Sequence, residues 1–408
     1  MSHDHPGDTP GSILAVNAGS TSIKFSLFAA EAPRQRIFAG AIDGIGTAAS
    51  AFHVDDGARL MRRFAIPDHV TAVRVLADWL LERLARERLV AIGHRVVYGG
   101  SGYRATQVLV PALLGALFDA SSCDPDHLPQ ERLLIDTLRR AFPGASQVAC
   151  FDTAFHMTMP PVASMLPIPR RFHAAGVVRL GFHGLSCASM MAELARLGGQ
   201  EAVGGKVVLA HLGGGASMTA VKAGRSCDTS MGLTPAGGMM MATRSGDVDP
   251  GLGWRLAREH QVSAAQLNHM VNHDSGLKGV SGISGDLRVL LDMAPAEPAA
   301  AEAVDMFCYQ ARKQLCAMAG AMEGIDTLVF AGGVGEHLDA VRTRICAGLG
   351  FLGIELDPVR NAAHAAVIST ARGAVTVRIM RTDEEAVIAQ QVHELLGQAA
   401  TAAPGAGA

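Results

Sequence analysis

Two stretches of this chain share one plan, and that repetition limits the folds open to it. Residues 13–28 read ILAVNAGSTSIKFSLF. An apolar run enters a turn of small residues, and Ile23, Phe25 and Leu27 then alternate with Lys24 and Ser26. Strand, tight turn and amphipathic strand together predict a β-hairpin. Residues 207–221, VVLAHLGGGASMTAV, repeat the plan with a glycine turn. A third version, residues 327–331 followed by GGVGEH, leads into a helical pattern with Val341, Ile345 and Leu349 on one face. Glycine-rich strand ends at the starts of two halves predict a duplicated domain with a nucleotide between the halves.

Between these stretches, strands alternate with helices. Val73, Leu76, Leu80 and Leu84 mark a helix face, and the strand after it carries His94 and Arg95. A helix over 133–141 precedes a strand at 147–150 whose end delivers Asp152, and residues 304–318 make a long buried helix. The last helix is expected over 384–396. The reading is α/β, and 408 residues fit two domains. Residues 1–12 and the low-complexity 397–408 are expected to be disordered tails. The polar N-terminus is not expected to act as a signal peptide. Apolar runs fall short of the roughly 20 residues that span a bilayer. Seven scattered cysteines without a CxxC pair suit a reducing compartment. Cytoplasmic location is therefore expected, without a membrane partner. A net charge of −3 argues against a nucleic-acid partner.

Residues 207–253 concentrate the chemistry. A glycine- and methionine-rich loop holds Arg244 between Thr243 and Ser245, with Asp247 and Asp249 close behind. Such an arginine suits a bidentate grip on carboxylate or phosphate, although the spacing alone also fits an exposed loop with nothing bound. The chain has no GxxxxGK[ST] loop, no HExxH or paired-cysteine zinc motif and no GxSxG elbow. GGVGEH lacks the third glycine of the dinucleotide fingerprint. Small-residue turns with isolated Arg, Asp, His and Glu at strand ends remain. That inventory suits phosphoryl transfer, where catalysis is mostly positioning and charge neutralisation.

Ten motifs then occur together and in order: 13–24, HRVVYGG (94–100), FDTAFHMTMP (151–160), RLGFHGLS (179–186), HLGGGAS (211–217), DTSMGLTP (228–235), TRSGDVDPG (243–251), FAGGVGEH (330–337), GFLGIELD (350–357) and TDEE (382–385). In these the chain resembles the acetate kinases, of the superfamily that joins acetate and sugar kinases with actin and the heat-shock chaperone ATPases. The resemblance runs from about residue 13 to 396. It implies two duplicated actin-like (ribonuclease H-like) domains with a nucleotide cleft between them, one from 13–154 with 385–396 and a nucleotide-binding one from 155–384. It further implies a homodimer, ATP as co-substrate, Mg²⁺ (with Mn²⁺ as an alternative), and reversible transfer of the ATP γ-phosphoryl group to acetate or another short-chain acid.

The same resemblance assigns roles residue by residue. Arg95 and Arg244 resemble the family arginines that flank the transferring phosphoryl and the substrate carboxylate. Asp152 resembles the active-site aspartate; with a carboxylate as the attacking group no general base is required, so its expected role is through Mg²⁺ or in orienting partners. His183 resembles the histidine that bonds the phosphoryl. Glu384 resembles the magnesium ligand, with Asn17 beside it, and Glu385 is its close neighbour. Val97 and Pro235 resemble the walls of the methyl pocket, and His127 a histidine of the acyl side. Phosphate contacts are expected from Ser20, Ser22, Lys24, His211, Leu212 and Gly213–Gly215. Adenosine contacts are expected from Asp286, Leu287 and Arg288, with Gly333, Val334 and Gly335 at the base.

The chain departs from the family pattern at six positions. Gly214 stands where Asn is usual, Leu185 and Cys187 alter HGTSH, Tyr98 alters HRVVHGG, Asp383 alters TNEE, and Asp126 precedes His127 where Leu is usual. Asp126 places the acyl substrate and the rate, more than the reaction class, at issue. Propionate is the alternative to acetate, and a non-catalytic nucleotide-binding regulator is the alternative to an enzyme.

Overall fold

The computed structural model describes residues 11–57, 60–99, 102–119 and 128–402. The chain forms two compact units, divided after Ala154 and after Thr382, with the C-terminal helix belonging to the first. Asp383 and Glu384, expected in the second domain, therefore sit with the first.

The first unit is built on an eight-stranded sheet of β1 (Gly11–Ala18), β2 (Ser22–Ala29), β3 (Arg36–Asp43), β4 (Ala51–Asp55), β5 (Leu60–Arg63), β6 (Arg88–Val96), β7 (Gln107–Val108) and β8 (Ser146–Phe151), in the order β5-β4-β3-β2-β1-β6-β8-β7. One face, carrying Leu14, Val16, Phe25 and Ile92, packs on Val73, Leu76 and Leu80 of helix His69–Arg83 and on Leu134 and Leu138 of helix Leu128–Ala141. The other face receives helix Glu384–Ala402. It lies so close that a Cβ at Gly93 would come within 2.4 Å of Ile388 Cγ2 and 2.7 Å of Val392 Cγ2. Glycine at that point lets the helix bring its first turn to the ends of β1 and β6.

The second unit carries a five-stranded sheet of β9 (Lys206–Leu212), β10 (Ala216–Lys222), β11 (Arg225–Thr229), β12 (Thr327–Ala331) and β13 (Thr376–Ile379), in the order β11-β10-β9-β12-β13. Helix Gly184–Gly204 buries Cys187, Met190 and Leu194 against Val207, Leu209 and Val329.

The duplication is visible in the pairing. Along β3-β2-β1 each strand is antiparallel to the next, and β1, β6 and β8 run parallel. β11, β10, β9, β12 and β13 repeat this order and sense. The two expected hairpins are β1–β2 and β9–β10. The third glycine-rich strand end, β12, occupies the position of β6.

At the termini the elements extend further than expected. β1 begins at Gly11, inside the stretch expected to be a tail, because Ala30 N–H bonds to Gly11 O at 2.8 Å. The last helix continues through Ala402 rather than ending near 396, so residues 397–402 are helical. The other tail residues lie outside the described ones.

Candidate active site

In the first unit the groups gather at the ends of β1, β6 and β8. Arg95 Nη2 donates to Asp152 Oδ2 at 2.9 Å, with the arginine side chain 14% exposed and the aspartate 1%. Arg95 Nη1 reaches Asn17 Oδ1 at 3.4 Å and Ala18 O at 3.3 Å. The amide of Asn17 donates to Glu384 Oε2 at 2.8 Å and to Glu385 Oε1 at 3.4 Å. Burial opposes the Arg95 charge, but Asp152, Glu384 and Glu131 outweigh it, so the guanidinium pKa lies above its usual value. Burial raises the Glu385 carboxyl, with further repulsion from Glu384.

The Asn17 amide thus bridges Arg95 and Glu384, with its oxygen accepting from the arginine and its nitrogen donating to the glutamate. An oxygen-only set, with two neighbouring carboxylates, fits a hard divalent cation that keeps waters and phosphate oxygens as its other ligands.

Val97 is buried, and its N–H donates to both carboxylate oxygens of Glu131, at 3.1 and 3.2 Å. Glu131 has no place in the sequence expectations; one glutamate in a helical pattern gives no signal there. His127 and Asp126 lie outside the described residues. Gly19 N–H closes the first hairpin turn onto Ser22 O at 2.7 Å. That leaves Ser20 exposed in the turn, and Lys24 exposed on β2.

In the second unit the groups gather around the β9–β10 turn. His183 has a left-handed backbone, φ 60°, at the start of helix Gly184–Gly204, and its Nδ1 lies 2.9 Å from Ser217 Oγ. Its ring centroid is 4.3 Å from that of His211. A Cβ at Gly215 would stand 3.2 Å from His183 Nε2 and 3.8 Å from Arg244 Nη1. One imidazole and one guanidinium therefore converge on a stretch of glycine backbone, the arrangement that phosphate oxygens require. Gly214 is exposed, with nothing within 4 Å of a Cβ placed there.

The arginine loop is not an idle surface loop. Met239, Met240 and Met241 are buried, Met241 N–H bonds to Arg244 O at 3.0 Å, and Gly238 N–H bonds to Asp247 Oδ1 at 2.7 Å. Arg244 Nη1 donates to Pro235 O at 3.3 Å. Asp249 caps helix Pro250–His260 through Gly251 N–H. Gly332, which the motif reading passed over, has φ 77°, and a Cβ there would lie 2.6 Å from Leu212 O. Only glycine lets the turn after β12 approach β9 that closely. Gly333 is open, Gly335 is buried, and Val334 lies between them in helix Gly332–His337. Arg342, fully buried, holds that helix by donating to Gly335 O at 2.8 Å and Glu336 O at 3.0 Å. Asp286 and Arg288 pair with each other at 2.6 Å, and Asp286 caps the helix that starts at the buried Leu287.

With this geometry in place, the comparisons decide the family. Residues 12–390 match the model of the acetokinase family. This chain belongs to the acetokinase family. An acetate kinase from Rhodopseudomonas palustris (strain TIE-1) is 38% identical over 392 residues, covering 94% of this chain and 98% of that one. Acetate kinase 1 of Lactococcus lactis is 39% identical over 395 residues, covering 94% and 98%. Two solved structures are similar throughout. A propionate kinase from Francisella tularensis gives a TM-score of 0.85 at 32% identity, covering 93% of this chain and 98% of that one. The Porphyromonas gingivalis acetate kinase gives 0.82 at 33%, covering 95% and 100%.

Three departures from the acetokinase pattern find places in the fold. Leu185 and Cys187 are buried core residues, and the Cys187 thiol lies 3.6 Å from Thr219 Oγ1. Asp383 is gripped by Arg36 Nη2 at 2.5 and 2.6 Å and accepts from Ala386 N–H at 3.0 Å. The added carboxylate thus caps the helix that carries Glu384, and Arg36 neutralises it.

Proposed function

We propose that this protein transfers the γ-phosphoryl group of ATP reversibly to acetate, giving acetyl phosphate and ADP by direct in-line displacement. The observation that carries this reading is the Arg95–Asp152 pair bonded through Asn17 to Glu384. It is a cation held charged beside a carboxylate suited to a divalent metal. Its support is the match to the acetokinase family over residues 12–390.

An acetate oxygen attacks the γ-phosphorus while the bond to the β–γ bridging oxygen breaks, and its electron pair leaves with ADP. The nucleophile is already anionic, so no proton is removed. Asp152 is spent on Arg95, which it orients and keeps charged, and does not serve as a base. Arg95 and Arg244 neutralise charge on the equatorial oxygens. His183 Nε2 donates to the phosphoryl, with its ring oriented by Ser217 Oγ at Nδ1. The glycine backbone at 213–215, with His211 and Leu212, takes the nucleotide phosphates, assisted by Ser20, Ser22 and Lys24. Asp286, Leu287, Arg288 and residues 333–335 take the adenosine. Glu384, oriented by Asn17, holds Mg²⁺, or Mn²⁺ in its stead, which when bound offsets phosphate charge. Val97, His127 and Pro235 bound the acyl group. The protein works as a cytoplasmic homodimer; among the described residues no helix is long and apolar enough to cross a membrane.

A second reading, propionate as the preferred acid, is favoured by the likeness to the Francisella propionate kinase. Acyl-phosphate formation, trapped as the hydroxamate with ATP, Mg²⁺ and equal acetate, propionate and butyrate, separates the two. Acetate ahead supports the first reading and propionate ahead the second. Nucleotide binding without any acyl phosphate contradicts both.

A further inference from the structure

β6 pairs with β8 as far as Val96 opposite Phe151, so the N–H of Val97 is the first beyond the ladder. Val97 is 2% exposed, and a donor buried there must find an acceptor inside the protein. Glu131, in the first turn of helix Leu128–Ala141 and itself 2% exposed, supplies both carboxylate oxygens to it. A neutral amide would accept the same bond without a charge to bury. The charge has a partner two residues away: after Asp152 and Glu384, Glu131 is the third carboxylate that holds Arg95 charged. The helix N-terminus offsets the remainder. One side chain therefore grips the backbone of Val97 and is balanced by the arginine of the transfer.

From this we infer that Glu131 is a positioning residue that fixes the depth of the acyl pocket, by pinning Val97 through its backbone. The inference rests on the reading of Val97 as the wall against the acyl methyl. If Val97 is free to yield, a methylene-longer acid gains room. The grip, rather than the charge, sets the selection for acid size.

The test compares kcat/KM for propionate and for acetate in the full-length enzyme, with KM for ATP and a thermal melt alongside. Glu131→Ala and Glu131→Asp, the latter keeping the charge but retracting it by one methylene, are expected to raise the propionate-to-acetate ratio by about tenfold, within the discrimination one methylene commands. KM for ATP should stay within about twofold of the parent. Glu131→Gln keeps the acceptor and is expected to retain the parent ratio. Val97→Ala, the control, should raise the ratio too. If Val97→Ala shifts it while Glu131→Asp and Glu131→Ala do not, the inference fails and the wall reading stands. If Glu131→Gln shifts it as far as Glu131→Asp, charge rather than grip is responsible and the inference fails. A parent-like ratio in Val97→Ala would overturn the wall reading and the inference together. Should Glu131→Ala not fold, the Asp and Gln variants decide.

Discussion

The β1–β2 and β9–β10 hairpins occupy the same place in two copies of one sheet, yet they carry opposite chemistry. At the first, side chains meet side chains: Arg95 with Asp152, Asn17 with Glu384, all within 3.4 Å links. At the second, residues 213–215 have no side chains, and His183 and Arg244 flank bare backbone. A duplicated fold thus supplies two strand-end platforms, and in the proposed mechanism their residues split the work. One concentrates balanced charge, as the reacting groups and a metal require. The other presents glycine backbone between an imidazole and a guanidinium, a setting suited to anions.

The largest expected effects test that division directly. Arg95→Ala should lower kcat on the order of 10³ or more, as loss of a transition-state arginine does. It also removes the arginine partner of the buried Asp152 carboxylate, which should lower stability by about 3 kcal/mol. Adding Asp152→Asn is expected to recover most of the stability in denaturant melts but none of the turnover. Arg244→Ala is expected to match the loss in turnover.

A smaller effect should come from crowding the glycine platform. Gly215→Val places carbon against His183 Nε2 and Arg244, and is expected to raise KM for ATP about tenfold, the scale of a 1.4 kcal/mol loss. KM for acetate should stay near the parent value. Equal rises in both would blur the contrast between the platforms.

The first unit also predicts a pH dependence. His94 is fully buried beside Arg95, with Nε2 2.7 Å from Gln147 Oε1, and burial lowers its pKa to about 4. The unfolded chain therefore binds a proton near pH 6.5 that the folded one refuses. Stability is complete above about pH 6.5 and falls as pH drops toward 4, by about 3 kcal/mol. His94→Gln should flatten this part of the stability-versus-pH curve, and an unchanged curve would refute the assignment.

Smallest of all is Gly214→Asn. The position is open, and the family's usual side chain is expected to tighten ATP binding about threefold by supplying one more donor, near the lower end of what a hydrogen bond contributes.

The legibility of the chain follows the same contrast. Both hairpins were readable because small-residue turns between alternating apolar strands have a local signature. The glycine platform could be read from residues 211–217 alone. The members of the charged platform were named only through the resemblance of their motifs, and their mutual bonds could not be read, because the platform is assembled from positions far apart. Asn17 meets Glu384 across 367 residues and Arg36 meets Asp383 across 347. Glu131 and Arg342 look like ordinary surface charges in helical patterns until burial is known. Gly332 was passed over because its need for φ 77° depends on Leu212, a neighbour only in space. The bonds of the Asn17 amide to Arg95 and Glu384 could not be read from the sequence either, because orientation of an amide is set by its surroundings. The strands β3 to β5 carried no motif, and so no expectation.

The most direct measurement is calorimetric binding of a non-hydrolysable ATP analogue with Mg²⁺ to the parent, Arg95→Ala and Gly215→Val. If the two platforms divide the work, Arg95→Ala binds nucleotide within about threefold of the parent despite its lost turnover, and Gly215→Val binds about tenfold more weakly. Loss of nucleotide binding in Arg95→Ala, with parent-like binding in Gly215→Val, would contradict the account.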